Sequence, residues 1–348
     1  AAGNDRRAAI VQSITRKLGS DVERLSAIIE RFENLSRHYS SDDVVEKFRR
    51  TGKENTLFVF MEGVIERLRQ LNHSGTAKNY SAALGSFKRF RNNEDIQMEA
   101  IDHILMEDYQ AYLASLGVVP NSISFYMRIL RAVYNRAVEQ ELTIDRNPFR
   151  TVFTGVEKTR KRAISISDIK RIRDLDLSLK PNLEFARNLF LFLFLCRGMS
   201  FIDAAFLKKS DIQSGILTYR RHKTNQVLHI KIIKPIKELV DRYSSNDSPY
   251  LLPIITRPHC DERRQYETAL RRVNKSLKTI AGMVKLPIPL TTYVSRHAWA
   301  TIAKSKNIPV NVISDALGHD SIATTQIYLA SIDTSTIDRA NELIIKDL

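Results

Sequence analysis

The sequence predicts a mainly α protein: a helical segment, then a four-helix domain, then a larger α-rich domain with one small β-sheet. Three observations carry this. Apolar residues return every three or four positions through most of the 348 residues, the period of a helix with one buried face. One stretch, 215–232, departs from that period with β-branched runs on either side of Thr224-Asn225-Gln226. The basic, serine-containing segment "EKTRKRAISISD" at 157–168 fits neither pattern and reads as a connection between domains. The boundaries drawn from this are a helical segment over 1–50, a four-helix domain over 51–153, a linker over 154–166 and a larger domain over 167–348.

In chain order, Ile10, Ile14, Leu18, Val22, Leu25, Ile29 and Phe32 predict a long amphipathic helix over 5–38, suited to packing or oligomerisation. Helical spacing returns from Leu57 to Leu71, Ala77 to Phe87, Ile101 to Leu116 and Ile123 to Ala137. The polar breaks "NHSG", "NNED" and "VVPNS" separate these four helices. Ser165 and Ser167 are candidate caps for a helix over "DIKRIRDL". The run "LFLFLFLC" at 189–196 is far shorter than the ~20 apolar residues a membrane span needs, so it reads as a buried helix. The stretch 215–232 is a β-hairpin, and helical pattern resumes over 263–283, 295–305, 309–317 and 333–345.

The net charge is +15 and the pI near 9.8, which points to a polyanionic partner. Residues 154–348 carry 32 Lys/Arg against 19 Asp/Glu, and so hold 13 of the 15 excess positive charges. The four-helix domain is neutral overall. Even so, Lys78, Lys88, Arg89 and Arg91 gather on its second helix, and Arg128, Arg131 and Arg136 on its fourth. Two such stripes side by side make a surface for a nucleic-acid duplex, and Arg160, Lys161 and Arg162 in the linker extend it. Two cysteines give no disulfide framework and fit a reducing interior. Cys260 follows His259, but no second pair at ligand spacing completes a zinc site. No stretch reads as a signal peptide. The chain starts without Met, which leaves room for an upstream module.

Breaking a DNA strand without metal or water requires four parts. Arginines must hold a phosphate whose charge grows in the transition state. A nucleophile must attack in line, a group must take its proton, and an acid must protonate the leaving 5′ oxygen. The second half supplies Arg197 after the buried helix, Lys223 at the hairpin tip, Arg296 in "TTYVSRHAWAT", and His319 and Tyr328 in "ALGHDSIATTQIYLASID".

The order and spacing of "HKT", "TTYVSRHAWAT" and "NVISDALGHDSIATTQIYLA" resemble the catalytic domain of tyrosine recombinases, the phage-type integrases and site-specific DNA invertases. The resemblance covers about residues 56–345 and extends to the family's helical, SAM-like core-binding domain. The wording "CRGMSFIDAAFLKKSDI" is most similar to integrases and invertases of Bacteroides mobile elements. It implies that Tyr328 attacks the scissile phosphate to form a 3′-phosphotyrosyl link, that Arg296 and His319 hold the phosphate, and that Lys223 is the general acid. Because the bond energy stays in the phosphotyrosine, religation needs no cofactor, neither metal nor ATP.

Two positions depart from the family pattern. Tyr293 stands where the family has a histidine three residues before the arginine, and a phenol is a poor base near neutral pH. Base duty then falls to His319 or to His297. The family's first arginine falls on Ser200. Arg197 lies three residues earlier, about one helical turn, and is taken here as its substitute, with Asp203 at the acidic position that would buttress it.

The resemblance implies double-stranded DNA with inverted-repeat core sites as partner, a dimer on each site and a tetrameric synapse, with accessory directionality proteins and no membrane. A bacterial, nucleoid-associated cytoplasmic location goes with it, as does packing of "IDRANELIIKDL" against a neighbouring subunit. Two other readings stay open. One is a type IB topoisomerase, which uses the same chemistry on one strand as a monomer. The other, kept open by Tyr293 and Ser200, is a DNA-binding protein without catalysis.

Overall fold

The computed structural model describes residues 2–34, 38–54, 56–157, 163–243, 248–329 and 345. The chain divides into two compact units, Ala1–Lys158 and Thr159–Leu348.

The first unit opens with α1 (Ala2–Asn34) and α2 (Ser41–Glu54). The sequence reading has a single helix over 5–38, whereas the structure adds α2. Its start is set by a reciprocal cap: Ser40 N donates to Asp43 Oδ2 at 2.8 Å, and Asp43 N donates to Ser40 Oγ at 3.2 Å. Ile28 and Val44 are buried, while Val11, Ile14, Leu18 and Val22 remain exposed.

Four helices follow: α3 (Leu57–Gln70), α4 (Ser74–Phe90), α5 (His103–Ser115) and α6 (Pro120–Glu139). Their apolar faces meet in one core that includes Met61, Phe87, Met106, Tyr109, Met127 and Val133. Tyr109 packs edge-on to Phe87 at 4.9 Å and satisfies its hydroxyl on Ser86 Oγ at 2.8 Å, as a buried phenol requires. The chain then folds back on α6. Tyr134 Oη donates to Ile144 O, Ser124 Oγ to Gly155 O, and Asn121 exchanges two hydrogen bonds with the Glu157 backbone. Residues 154–157, read from sequence as linker, are therefore tied to the first unit.

The second unit is built around α8 (Pro181–Leu195), the apolar run of the sequence, which packs against α7 (Ile166–Arg173). Ser165 caps α7 through a full capping box with Asp168. After the short α9 (Phe201–Ala205), β1 (Ile212–Gln213), β2 (Ile216–Arg220) and β3 (Val227–Lys231) form an antiparallel sheet in that order. Thr218 pairs with His229, and Leu217 and Ile230 face the core. The helices α10 (Lys234–Tyr243), α11 (Glu262–Met283) and α12 (Thr292–Ser305) pack on α8 and complete the main core. Beyond it, α13 (Val310–Leu317) and α14 (Ile322–Leu329) join the end of α12 in a small separate core of Ala300, Ala303, Ile313, Leu317 and Leu329. The helix expected over 333–345 lies outside the described residues except for Ile345, which is helical. Among the described residues no helix is long and apolar enough to cross a membrane.

Candidate active site

Four segments of the second unit converge on Arg296 and the Gly318-His319 turn beside it. The first is the turn after α8. The helix ends at Leu195, and Arg197 and Gly198 both take left-handed backbone angles, with φ of 58° and 68°. This reversal lays the Gly198 backbone against α12 and aims its carbonyl at Arg296 Nη1, 2.8 Å away. The second is the end of α13. Gly318, at φ 64°, closes that helix, and Gly318 N and His319 N turn back to Asp315 O and Ser314 O. Leu317 O thereby accepts from Arg296 Nη2 at 2.6 Å, and His319 Nε2 lies 3.0 Å from the same Nη2.

The hairpin tip is the third segment. Along β2 the inward residues are Leu217 and Tyr219, and the same parity carries on to Arg221, only 6% exposed. Arg221 Nη1 donates to Gly318 O, Thr224 Oγ1 donates to the same carbonyl at 3.1 Å, and Gln226 Nε2 reaches His319 O at 3.5 Å. The tip is thus pinned to the Gly318-His319 turn. Lys223 sits exposed on it, near enough for its charge to act on His319. The fourth segment is α14, whose fully buried Thr325 places Oγ1 2.7 Å from His319 Nδ1.

The electrostatics follow from crowding cations into a buried place. Burial, then the charge of Arg221, lowers the Arg296 pKa to about 10. Burial, then Arg296, Arg221 and Lys223, lowers that of His319 to about 4, so its imidazole is neutral at neutral pH. Arg221 Nε is buried and meets no hydrogen-bond partner among the described residues. A buried donor left unpaired costs about 1–3 kcal/mol, and two adjacent buried guanidiniums repel. Such a site is organised for an anion.

Asp203 steadies the hairpin from behind. Burial works to raise its pKa, but hydrogen bonds from His222 and Ser200 and the charge of Arg221 hold it below the usual carboxylate range. Its Oδ1 accepts from His222 N at 2.9 Å, and its Oδ2 from Ser200 Oγ at 2.6 Å.

The helical offset on which the choice of Arg197 rested is not present. Residues 196–200 are a turn, not a helix, so a three-residue offset does not bring Arg197 to the face of Ser200. Arg197 is half-buried and donates to none of the described residues, while Ser200 caps α9. The arginine that joins Arg296 and His319 is Arg221, which the sequence reading missed. Its signal was the strand parity, which makes it an inward-facing arginine at the end of β2.

Tyr293 is half-exposed and stacks edge-on against His297, with ring centroids 4.7 Å apart. Burial raises its pKa despite the opposing charges of Arg296 and Arg221. The backbone of Tyr328 lies on α14, three residues after Thr325, while its side chain is outside the description.

In the first unit, Lys78, Arg89, Arg128 and Arg131 are exposed, and Arg131 also donates to Thr154 Oγ1 at 3.3 Å. Lys88 is paired with Glu62 at 2.6 Å, and Arg91 has a buried Nε without a partner among the described residues. Arg136 lies 6.0 Å over the Tyr80 ring, which places α4 beside α6. Arg160, Lys161 and Arg162 fall outside the described residues. A second basic line not singled out from sequence, Arg264, Arg271, Lys275 and Lys278, runs exposed along α11.

Comparisons with known proteins bear on both units. Residues 56–157 match the phage integrase SAM-like domain, and residues 167–334 match the phage integrase family. Tyrosine recombinase XerA of Pyrococcus furiosus is 27% identical over 244 residues, covering 68% of this chain and 79% of that protein. Tyrosine recombinase XerD of Halalkalibacterium halodurans is 25% identical over 289 residues, 77% of this chain and 94% of the relative. The fold resembles that of a lambda integrase dimer bound to a COC′ core site, with TM-score 0.60, 18% identity, and 87% and 85% of the two chains covered. It also resembles XerH recombinase bound to its difH substrate before cleavage, with TM-score 0.52, 16% identity and 92% and 95% coverage. The chain belongs to the phage integrase family, the tyrosine recombinases.

Proposed function

We propose that this protein is a site-specific DNA recombinase that cuts and rejoins DNA through a 3′-phosphotyrosyl intermediate on Tyr328. The observation that carries the reading is the meeting of two buried guanidiniums, Arg296 and Arg221, with His319 at one point. Lys223 stands on the adjoining turn, and the helix bearing Tyr328 reaches His319 through Thr325. Arg296 and Arg221 hold the non-bridging oxygens, and the unpaired Arg221 Nε is satisfied by the phosphate. Arg221, and not Arg197, takes the role of the first arginine.

The proton inventory closes on this chain's own residues. Tyr328 gives its proton to His319 as its oxygen bonds to phosphorus, and the bond to the 5′ oxygen breaks. Lys223 protonates that oxygen. His319 is neutral at the start, its pKa held low by burial and then by the nearby cations, and the entering phosphate offsets those charges. Tyr293, protonated at neutral pH, hydrogen-bonds rather than accepts a proton, and His297 orients it through the ring contact. The exchange needs neither metal nor nucleotide.

In this reading the four-helix domain and α11 hold the duplex backbone through Lys78, Arg89, Arg128, Arg131, Arg264, Arg271, Lys275 and Lys278. Relatives have been seen as a dimer on a core site and as a tetramer on a Holliday junction. The same assembly on inverted repeats, with accessory proteins setting direction, is proposed for this chain.

The test is a nicked duplex suicide substrate carrying the inverted repeat that flanks the gene. It is incubated with wild type, Tyr328→Phe, Arg221→Ala and Arg197→Ala. The account expects a covalent adduct from wild type and Arg197→Ala and none from the other two. Absence of an adduct from wild type on DNA it binds would turn the reading to a non-catalytic DNA-binding protein.

A further inference from the structure

The helix α1 turns an apolar face away from the contacts that hold it. Val11, Ile14, Leu18, Val22 and Ile29 are between 38% and 61% exposed. Val11 and Ile29 stand about five turns apart, and Leu18 and Val22 fall between them near whole-turn spacings, so these four form one line along the helix. The contacts that tie α1 down lie elsewhere. Ile28 is buried where α1 packs against α2, Glu23 pairs with Arg146 at 3.4 Å, and Arg31 pairs with Glu141 at 2.8 Å. At about 100° per residue, Glu23, Ile28 and Arg31 sit on the opposite half of the helix from the line. Apolar side chains in a continuous exposed row mark a docking face, in a way that single ones do not.

The charge along α1 selects what covers that face. Residues 2–18 hold Arg6, Arg7, Arg16 and Lys17 against Asp5, a net charge of +3. Residues 19–34 hold Asp21, Glu23, Glu30 and Glu33 against Arg24 and Arg31, a net charge of −2. Glu23 and Arg31, which pair with other elements, cancel one another, so the imbalance survives without them. A helix with one positive and one negative half complements a second copy of itself laid antiparallel and repels one laid parallel. The apolar line has the matching symmetry. Positions 11, 18, 22 and 29 are evenly placed about residue 20, so an antiparallel copy sets Val11 against Ile29 and Leu18 against Val22, each pair twice.

We propose that α1 is a self-association surface, through which two copies of this chain pair antiparallel about a two-fold axis near residue 20 in the absence of DNA. The line from Val11 to Ile29 is only about 27 Å long, so the pairing is modest and depends on concentration. Its use on DNA rests on the recombinase reading. A two-fold pair has the symmetry of an inverted repeat, and once one protomer is bound its partner reaches the second half-site at a raised effective concentration.

Two measurements on the full DNA-free chain test the pairing. Sedimentation equilibrium should show monomer and dimer in exchange at tens of micromolar, with Leu18→Glu raising the dissociation constant at least about tenfold. Glutamate suits an exposed helical position, so the circular dichroism of that variant should match wild type. The second measurement uses a Cys260→Ser background, which removes the exposed native thiol. There, Val11→Cys mixed with Ile29→Cys should form disulfide-linked dimers under mild oxidation, and neither should do so alone. A wild type that stays monomeric at about 100 μM would overturn the proposal, as would a dimer indifferent to Leu18→Glu. Self-linking of Val11→Cys as fast as the mixture would overturn the antiparallel order. A monomer in which Leu18→Cys is shielded from a thiol reagent would overturn it too, and would give the face to another segment of this chain. On an inverted repeat, Leu18→Glu should keep half-site affinity and lose cooperativity; unchanged cooperativity would sink the role on DNA. No readout here involves cleavage, so failure of the Tyr328 assignment would show separately, as an adduct that survives Tyr328→Phe.

Discussion

Gly198 and Arg296 are in backbone-to-backbone contact: a Cβ added at Gly198 would stand 2.8 Å from Arg296 Cα, and the Gly198 carbonyl takes a hydrogen bond from Arg296 Nη1 at 2.8 Å. The glycine also holds φ at 68°. Gly198→Ala adds a left-handed alanine and a clash with backbone that has no room to yield. We expect a loss of about 3 kcal/mol, read by denaturant unfolding, and no adduct on the suicide substrate.

Arg221 and Lys are not interchangeable at the hairpin tip. A lysine there keeps the charge but loses the fork that reaches Gly318 O and the phosphate together. Arg221→Lys should retain DNA binding and lower the single-turnover cleavage rate by about 100-fold, and Arg221→Ala by more. Arg197→Lys, read in the same assay, should remain within about threefold of wild type. A reversed order would return the first-arginine role to Arg197.

Asp203 ties α9 to the hairpin through Ser200 Oγ and His222 N. Asp203→Asn removes the charge that faces Arg221 and puts a donor opposite at least one donor. The expected cost is about 2 kcal/mol in unfolding free energy. Cleavage should fall further than binding, because Lys223 adjoins His222 on the same turn.

His319 gives a pH signature. Its folded pKa is about 4, against 6.5 for the unperturbed group. Between these values the unfolded chain binds the proton more tightly, so stability is present above pH 6.5 and is lost as pH falls toward 4. The loss is at most about 3 kcal/mol. His319→Gln should flatten the dependence of denaturation midpoint on pH within that window, with Asp203 and the other carboxylates held below their usual range, Asp168 and Glu262 among them, supplying slope at the acid end.

Much of this molecule is legible in its sequence, and the gaps have physical reasons. The four helices α3 to α6 follow from a strict apolar period because each buries one face in a shared core. The hairpin follows from its β-branched runs. The helix α2 was missed because its sequence is short and charged, with Val44 its buried apolar residue among the described side chains; the Ser40-Asp43 cap was the better sign. Arg296 and His319 stand in motifs whose spacing survives as geometry. Arg221 does not, since its place depends on a strand parity and on a contact 97 residues away with Gly318. Lys88 shows the opposite limit: a residue counted in a basic stripe is spoken for by Glu62, on a different helix.

The central claim is that Tyr328 becomes covalently bound to DNA. The most direct measurement traps the adduct on a nicked duplex, digests it with protease and nuclease, and maps the nucleotide-bearing peptide by mass spectrometry. The account predicts a 3′-phosphonucleotide on the peptide containing Tyr328, lost in Tyr328→Phe. A nucleotide on any other tyrosine, Tyr293 included, or no linked peptide from DNA that the protein binds, would contradict it.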